Sequence, residues 1–302
     1  TADDLDLRSL GFSGEQSDNI ELMKKCPTGI IIIGGPTGSG KSTSLQRVLA
    51  AIIREEAGKK HVITVEDPPE YPIMGAVQTP VTNAQTEEER SKSFQVAIKS
   101  AMRLDPDVIM IGEVRDTPSA RLAVQAAMTG HQVWTTVHAN NALAILDRLI
   151  DLGVPLELLA DASIITGLIC QRLLKVLCPQ CKTPINDVLD RYSQTDLQRI
   201  MSVAELEKVY VLGNGCENCR GTGIVGRTVV AETVLTDDKL LSFIRKHDKL
   251  GAIAYWRNEL RGLTMRDHAL LKVIQGTVDP FQAEATVGRL VKSDDALHNH
   301  RR

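Results

Sequence analysis

Eight consecutive residues, Gly35-Pro36-Thr37-Gly38-Ser39-Gly40-Lys41-Ser42, match the pattern G-x-x-x-x-G-K-[ST] at every fixed position and come directly after the aliphatic run Ile30–Ile33. Glycines at this spacing let the backbone wrap so that its N–H groups converge on phosphate oxygens. The loop opens into a helix whose dipole also favours anions. In that geometry Lys41 bridges the β- and γ-phosphates of a nucleoside triphosphate and Ser42 offers a hydroxyl to Mg²⁺, with Thr43 next in the phosphate-binding run. The loop alone predicts nucleotide binding; hydrolysis also needs a carboxylate near the γ-phosphate.

Two runs supply candidate carboxylates. Asp107-Val108-Ile109-Met110-Ile111-Gly112-Glu113 is an aliphatic strand ending in an acid, which puts Glu113 at the carboxyl end of a strand beside the loop. Thr64-Val65-Glu66-Asp67-Pro68-Pro69-Glu70 also ends a strand in acids, with prolines that stiffen the loop beyond it. A single acid after a strand is more often a helix cap or a solvated loop charge. Two such strands behind one phosphate loop favour the functional reading. A third run, Thr129 to Asn140, carries His131 at its start and His138 at its end, on opposite faces of a regular strand. His131 divides between a structural and a functional role; His138, at the carboxyl end, is the better placed to touch a γ-phosphate.

Of six cysteines, four form two tight pairs, Cys178/Cys181 and Cys216/Cys219, while Cys26 and Cys170 stand alone. Two C-x-x-C knuckles predict a tetrahedral four-thiolate zinc site, closed and therefore structural; buried free thiols or a disulfide are the alternatives. Gly213, Gly215, Gly221 and Gly223 crowd the second knuckle, where the backbone must bend. Such a site is expected to staple a subdomain with little apolar core of its own.

The elements that must hold these groups emerge from the patterning. Short Ile/Val-rich runs at 29–33, 61–65, 108–111 and 132–137 alternate with helical stretches at 42–56, 87–104, 119–128 and 142–152, the pattern of an α/β domain with a parallel sheet. The stretch Leu158–Cys178, carrying Asp161, Arg172 and Lys175, reads as a packed helix, a short strand is expected at 209–212, and the chain from Asp237 reads as helical. The tail His-Asn-His-Arg-Arg is expected to be disordered. Over 302 residues a formal net charge of −3 and 3% aromatic content argue against a nucleic-acid partner, and no apolar run is long enough to span a membrane.

Taken together, the phosphate loop, EDPPEY, RLDPDVIMIGEVRD, TGHQVWTTVHANN and the paired C-x-x-C motifs resemble the ATPases of type II secretion and type IV pilus assembly. Residues 221–227 and 262–267 also resemble that family, although Asp267-His268 stands where a family glycine is common. The resemblance implies a RecA-like core and a homo-hexameric ring that hydrolyses ATP at the cytoplasmic face of the inner membrane, acting there as a peripheral protein on a membrane-embedded platform protein. Residue by residue it implies that Glu66 orients or deprotonates the attacking water, Glu113 acts on Mg²⁺ and water, and His138 senses the γ-phosphate. Arg103 and Arg115 match family arginines, or equally pair with Asp105 and Asp116. The zinc cluster favours an assembly or secretion ATPase over a pilus-retraction ATPase, and a RecA-like nucleic-acid translocase or helicase is the other alternative.

The corresponding division is a linker remnant over 1–28, a RecA-like ATPase core over 29–165, a four-cysteine zinc-binding subdomain over 166–235 and a helical region over 236–302. Family members carry a further domain ahead of the core that supplies arginines to the site, so this chain is expected to be a fragment. Its turnover should be weak beside that of a longer version of the same protein, a difference that steady-state phosphate release would measure.

Overall fold

A computed structural model describes residues 6–81 and 84–291, so the tail expected to be disordered lies outside the described residues. Its strands are β1 (Gly29–Gly34), β2 (Val62–Glu66), β3 (Val77–Pro80), β4 (Val108–Ile111), β5 (Gln132–Val137), β6 (Ile165–Leu177), β7 (Thr183–Pro184), β8 (Tyr210–Val211) and β9 (Ile224–Leu235). The helices before β6 are α1 (Leu7–Leu10), α2 (Gly14–Lys24), α3 (Lys41–Glu55), α4 (Glu87–Met102), α5 (Thr117–Met128), α6 (Ala144–Asp151) and α7 (Leu156–Leu159). After it come α8 (Gln194–Met201), α9 (Asp238–Arg245), α10 (Lys249–Asn258), α11 (Met265–Ile274) and α12 (Pro280–Val287). Among the described residues no helix is long and apolar enough to cross a membrane.

Seven strands form one sheet in the order β3-β2-β4-β5-β1-β6-β9. The pairs β2/β3, β2/β4, β4/β5, β5/β1 and β1/β6 are all parallel. Strands β1, β2, β4 and β5 are buried along their whole length, which is why they read in the sequence as near-continuous aliphatic runs. The helices between them start on recognisable caps: Thr86 accepts from the Glu89 N–H before α4, and Asp116 from the Ser119 N–H before α5. Helix α3 differs. Its N-cap is Gly40, in the left-handed region at φ 83°, and no side chain caps it, so the amides of its first turn are left to an external acceptor.

The structure corrects several expectations. Residues 165–177 form a strand and not a packed helix. Periodicity does not separate a buried strand from a buried helix in ITGLICQRLLKVL, and here pairing with β1 decides: Ile30 lies opposite Ile165 and Ile31 opposite Gly167. Gly167 leaves room for Met23, whose sulfur would lie 2.5 Å from a Cβ at that position. Strand β9 is likewise one that the sequence pattern does not announce. Residues 1–28 are also no plain linker, because α1 and α2 fill residues 7–10 and 14–24. Ser13 and Gln16 form a reciprocal capping box at the start of α2, which buries Ile20 and Met23. Lys24, on the same helix, is buried with its ammonium 2.7 Å from both Glu21 and Glu55.

The chain divides into two compact units that do not follow the expected boundaries at 165 and 235. The first runs to Gln171 and includes Glu232–Leu260; the second is Arg172–Ala231 with the residues from Arg261 on. The second unit has a substantial apolar core, among it Leu174, Ile185, Ile200, Val230, Leu270 and Val273, so the expectation of little apolar core there is overturned. That core draws on residues far apart in sequence, which no local pattern could reveal. Met23 is fully buried, so Met23→Ala should destabilise the fold by about 2–5 kcal/mol. Urea unfolding is the measurement, and an unchanged midpoint would return residues 14–24 to linker status.

Candidate functional site

The parallel register aligns Val65, Ile111, Thr135 and Ile32 in one row across β2, β4, β5 and β1. Because all four strands run the same way, the residues beyond that row emerge at one edge of the sheet. Glu66 ends β2, Gly112-Glu113 comes after β4, His138 after β5, and the loop Gly35–Gly40 after β1. The expected phosphate-loop residues Gly35, Pro36, Thr37, Gly38, Ser39, Gly40, Lys41, Ser42 and Thr43 thus sit at the same edge as Glu66, Glu113 and His138.

Within the loop, Gly35 and Ser39 are buried while Pro36, Thr37 and Gly38 are exposed. A Cβ on Gly35 would lie 2.4 Å from Ser39 Oγ and 2.6 Å from the Gln171 carbonyl oxygen, so only glycine fits. Gln171 is fully buried and donates from Nε2 to the Ser39 carbonyl at 2.8 Å, fixing the loop from below. The Ser39 hydroxyl is buried and takes no hydrogen bond among the described residues. Lys41 turns back over the loop and donates from Nζ to the carbonyls of Gly35 at 2.6 Å and Pro36 at 3.1 Å. Burial lowers its pKa from the ordinary lysine value, with Glu113, Cys170 and Glu70 acting in the opposite sense. Ser42 is exposed on the first turn of α3. A glycine cradle, uncapped helix amides, an ammonium and an exposed hydroxyl form a donor set that fits a polyphosphate with its Mg²⁺.

Glu113 takes partners on both sides. Its Oε2 accepts from Arg115 Nη2 at 2.6 Å and Nε at 2.7 Å, and His138 Nε2 lies 2.7 Å from its Oε1. Arg115 therefore pairs with Glu113 and not with Asp116. Burial works against ionisation of Asp116, but hydrogen bonds from Ser119 and Ser91 outweigh it and hold the carboxyl below its usual range. Arg103 is the C-cap residue of α4, its N–H bonding the carbonyls of Ala101 and Ser100. Hydroxyl groups on β5 fix the approach to the acid: Thr135 donates to the Ile111 carbonyl at 2.7 Å and Thr136 to that of Gly112 at 2.6 Å. His131 sits at the opposite end of β5, its Nδ1 3.0 Å from the Ala126 carbonyl, so the structure gives it a local structural setting and separates the two histidines along the strand and not merely by face.

Glu66 is buried, and two donors reach one of its oxygens. Thr64 Oγ1 donates to Oε2 at 2.6 Å and Gln78 Nε2 to the same atom at 2.9 Å. Neither donor stands out from the sequence. Thr64 could have been found as the residue two positions back on the same strand face; Gln78 lies on a short strand with no spacing rule to mark it.

In the second unit the four expected cysteine ligands converge, all sulfurs within 4.8 Å of one another. Cys178 and Cys216 are 3.7 Å apart, Cys181 and Cys219 3.7 Å, and Cys216 and Cys219 3.8 Å. A tetrahedron with metal–sulfur bonds of ~2.3 Å has sulfur–sulfur edges of about 3.8 Å, so these spacings suit one ion at the centre. They are too long for a disulfide. Backbone N–H groups of Cys216 and Gly223, each 3.1 Å from the Cys219 sulfur, pull that thiol down to about 6. Burial beside the other sulfurs pushes Cys181 up to about 12. Gly213 serves close approach, because a Cβ on it would fall 1.7 Å from the Cys181 carbonyl oxygen.

Comparison with known proteins decides the family. A family model described as Type II/IV secretion system protein matches residues 1–287. The chain belongs to that family. Among relatives of this secretion-system chain, the type II secretion system ATPase E of Vibrio cholerae is 38% identical over 276 residues, covering 90% of the chain and 51% of the relative. The type IV pilus assembly ATPase PilB of Thermus thermophilus is 33% identical over 273 residues, covering 90% and 29%. The chain thus spans about half the length of the type II secretion relatives it matches. In fold it resembles the pilus retraction motor PilT, solved with bound ADP, at TM-score 0.64 and 24% identity over 96% of this chain and 67% of that one. It also resembles the Legionella pneumophila ATPase DotB at TM-score 0.60 and 22% identity, over 92% and 64%. These likenesses match the expected P-loop α/β core.

The cysteine geometry of this secretion-system protein makes a direct prediction. Elemental analysis should find about one metal ion per chain, and Cys219→Ser should lose it. Chelation should loosen the segments around the two knuckles, seen as faster amide exchange near 178–182 and 213–223, while the apolar core of the second unit persists. No detectable metal, with exchange unchanged by chelator, would count against the site.

Proposed function

We propose that this secretion-family chain is the ATP-hydrolysing part of a motor that works as a homo-hexameric ring on an inner-membrane platform protein, peripherally at the cytoplasmic face, in type IV pilus assembly or type II secretion. One observation carries the reading: a phosphate loop, two acids and a histidine meet at the carboxyl edge of a single parallel sheet. The names of the relatives, type II secretion ATPase E and pilus assembly ATPase PilB, favour this reading over a nucleic-acid translocase or a retraction motor. The −3 formal charge and sparse aromatics point the same way on nucleic acid.

In this reading the triphosphate lies across Gly35–Thr43, and Lys41 exchanges the carbonyls of Gly35 and Pro36 for the β- and γ-phosphate oxygens. Ser42 would hold Mg²⁺, which supplies charge neutralisation at the phosphates. Glu66 orients the attacking water and takes its proton as the oxygen bonds to the γ-phosphorus. The bond to the β,γ-bridging oxygen breaks, its electron pair leaving with ADP. Glu113 serves the water and the Mg²⁺ site from the neighbouring strand. His138, tied to Glu113, is placed to register whether the γ-phosphate is present. At the cysteine cluster we assign zinc: four sulfurs close the shell, so the ion is structural.

Lys41→Ala should abolish binding of a fluorescent ATP analogue. Glu113→Gln should leave binding within about twofold of the parent yet lower turnover by about 100-fold or more, in the range that loss of an acid–base group produces. Turnover of Glu113→Gln at the parent rate would remove Glu113 from the chemistry, and tight binding by Lys41→Ala would remove the loop from nucleotide recognition.

A further inference from the structure

Gln78 is a hub whose bonds are hard to explain by packing alone. It lies on β3 directly opposite Thr64 in the parallel register, and two residues along β2 from Thr64 is Glu66, on the same face. Its amide is oriented without ambiguity. Oε1 accepts from the Ile73 N–H at 2.9 Å, while Nε2 donates to the Tyr71 carbonyl at 2.9 Å and to Glu66 Oε2 at 2.9 Å. Reversing the amide would face Nε2 against the Ile73 N–H and Oε1 against two acceptors. Thr64 Oγ1 brings a second donor to Oε2, at 2.6 Å. Both bonds thus go to one oxygen of the carboxylate, and Oε1 takes no hydrogen bond among the described residues.

Such an asymmetric arrangement suits a carboxylate that must hold one oxygen still and offer the other. Hydrogen bonds to ionised acceptors are the stronger class and fix rotamer as well as charge. Gln78 also ties that orientation to the proline-rich segment after β2, since Tyr71 and Ile73 belong to the same loop as Pro68 and Pro69.

We propose that Gln78 is a positioning residue for ATP hydrolysis. With Thr64 it pins Oε2 of Glu66 and thereby presents Oε1 to the attacking water, and it couples that presentation to the conformation of residues 71–73. The proposal rests on the hydrolytic role assigned to Glu66 above. In the step concerned, the water proton passes to Oε1 while the water oxygen bonds to the γ-phosphorus and the bond from that phosphorus to the β,γ-bridging oxygen breaks, its electron pair leaving with ADP; Gln78 neither gains nor loses a proton.

The test uses single- and multiple-turnover hydrolysis by the 302-residue chain with ATP and Mg²⁺, alongside binding of a fluorescent ATP analogue. Gln78→Met, which keeps the side-chain volume and removes all three bonds, should lower kcat by about 10- to 100-fold, the scale on which small misplacement of a reacting group costs rate. KM and analogue binding should stay within about twofold. Thr64→Val should lower kcat similarly, and Thr64→Ser, which restores the hydroxyl, should recover most of that loss. In a Glu66→Ala background, Gln78→Met should cause almost no further loss, because both changes act on one group. An equal fold-loss with and without Glu66 would overturn the proposal, as would a rise in KM with kcat unchanged, or no rescue by serine. If Gln78→Met does not fold, the Thr64 pair in the two backgrounds decides. Parent-like turnover of Glu66→Ala, or no turnover by the parent, would instead fell the underlying reading of Glu66.

Discussion

Parallel pairing of β2, β4, β5 and β1 is the constraint on which the rest of the first unit depends. Parallel strands need crossover connections, and these helices cover both faces of the sheet, which is why the strands are buried along their whole length. The same parallelism sends every carboxyl end to one edge. Residues as far apart in the chain as Gly35 after β1 and His138 after β5 come to the same edge without any contact being specified between them. A single antiparallel strand in this set would carry its acid to the far edge.

Charge at that edge is balanced internally. Glu113 is held between Arg115 and His138, and Lys41 is bonded to two loop carbonyls. In the proposed reading a polyphosphate would compete with these intramolecular partners, and its binding would require Lys41 to leave the carbonyls of Gly35 and Pro36. The partial burial that lowers the lysine's pKa would, in the same reading, also strengthen its attraction to a phosphate, since a low-dielectric setting acts on both. The glycine at position 35 and the buried Gln171 hold the loop backbone in place while that side chain moves.

The second unit solves a different problem. Its apolar core draws on residues both before and after the excursion into Glu232–Leu260, and the four thiols converge within the same unit. The four sulfurs converge beside loops whose backbone enters the left-handed region at Gly215, Gly221 and Gly223, and a metal held there, as proposed, would fix those loops while the core organises the unit.

Local chemistry was legible in the sequence. The phosphate loop, the acids ending aliphatic runs and the paired knuckles each lie within a few residues, so spacing alone carries the geometry, and the strands buried on both faces announce themselves as aliphatic runs. Composition placed α4 and α5 to within about two residues at most of their ends. Tertiary structure alone decided that residues 165–177 form a strand, that Arg115 and His138 share Glu113, and that Thr64 and Gln78 grip one oxygen of Glu66. The strand at 165–177, the approach of His138 to Glu113 and that of Gln78 to Glu66 depend on strand register. Register is set by the summed packing of whole sheet faces, an energy spread over segments a hundred residues apart, and no window of the chain contains it.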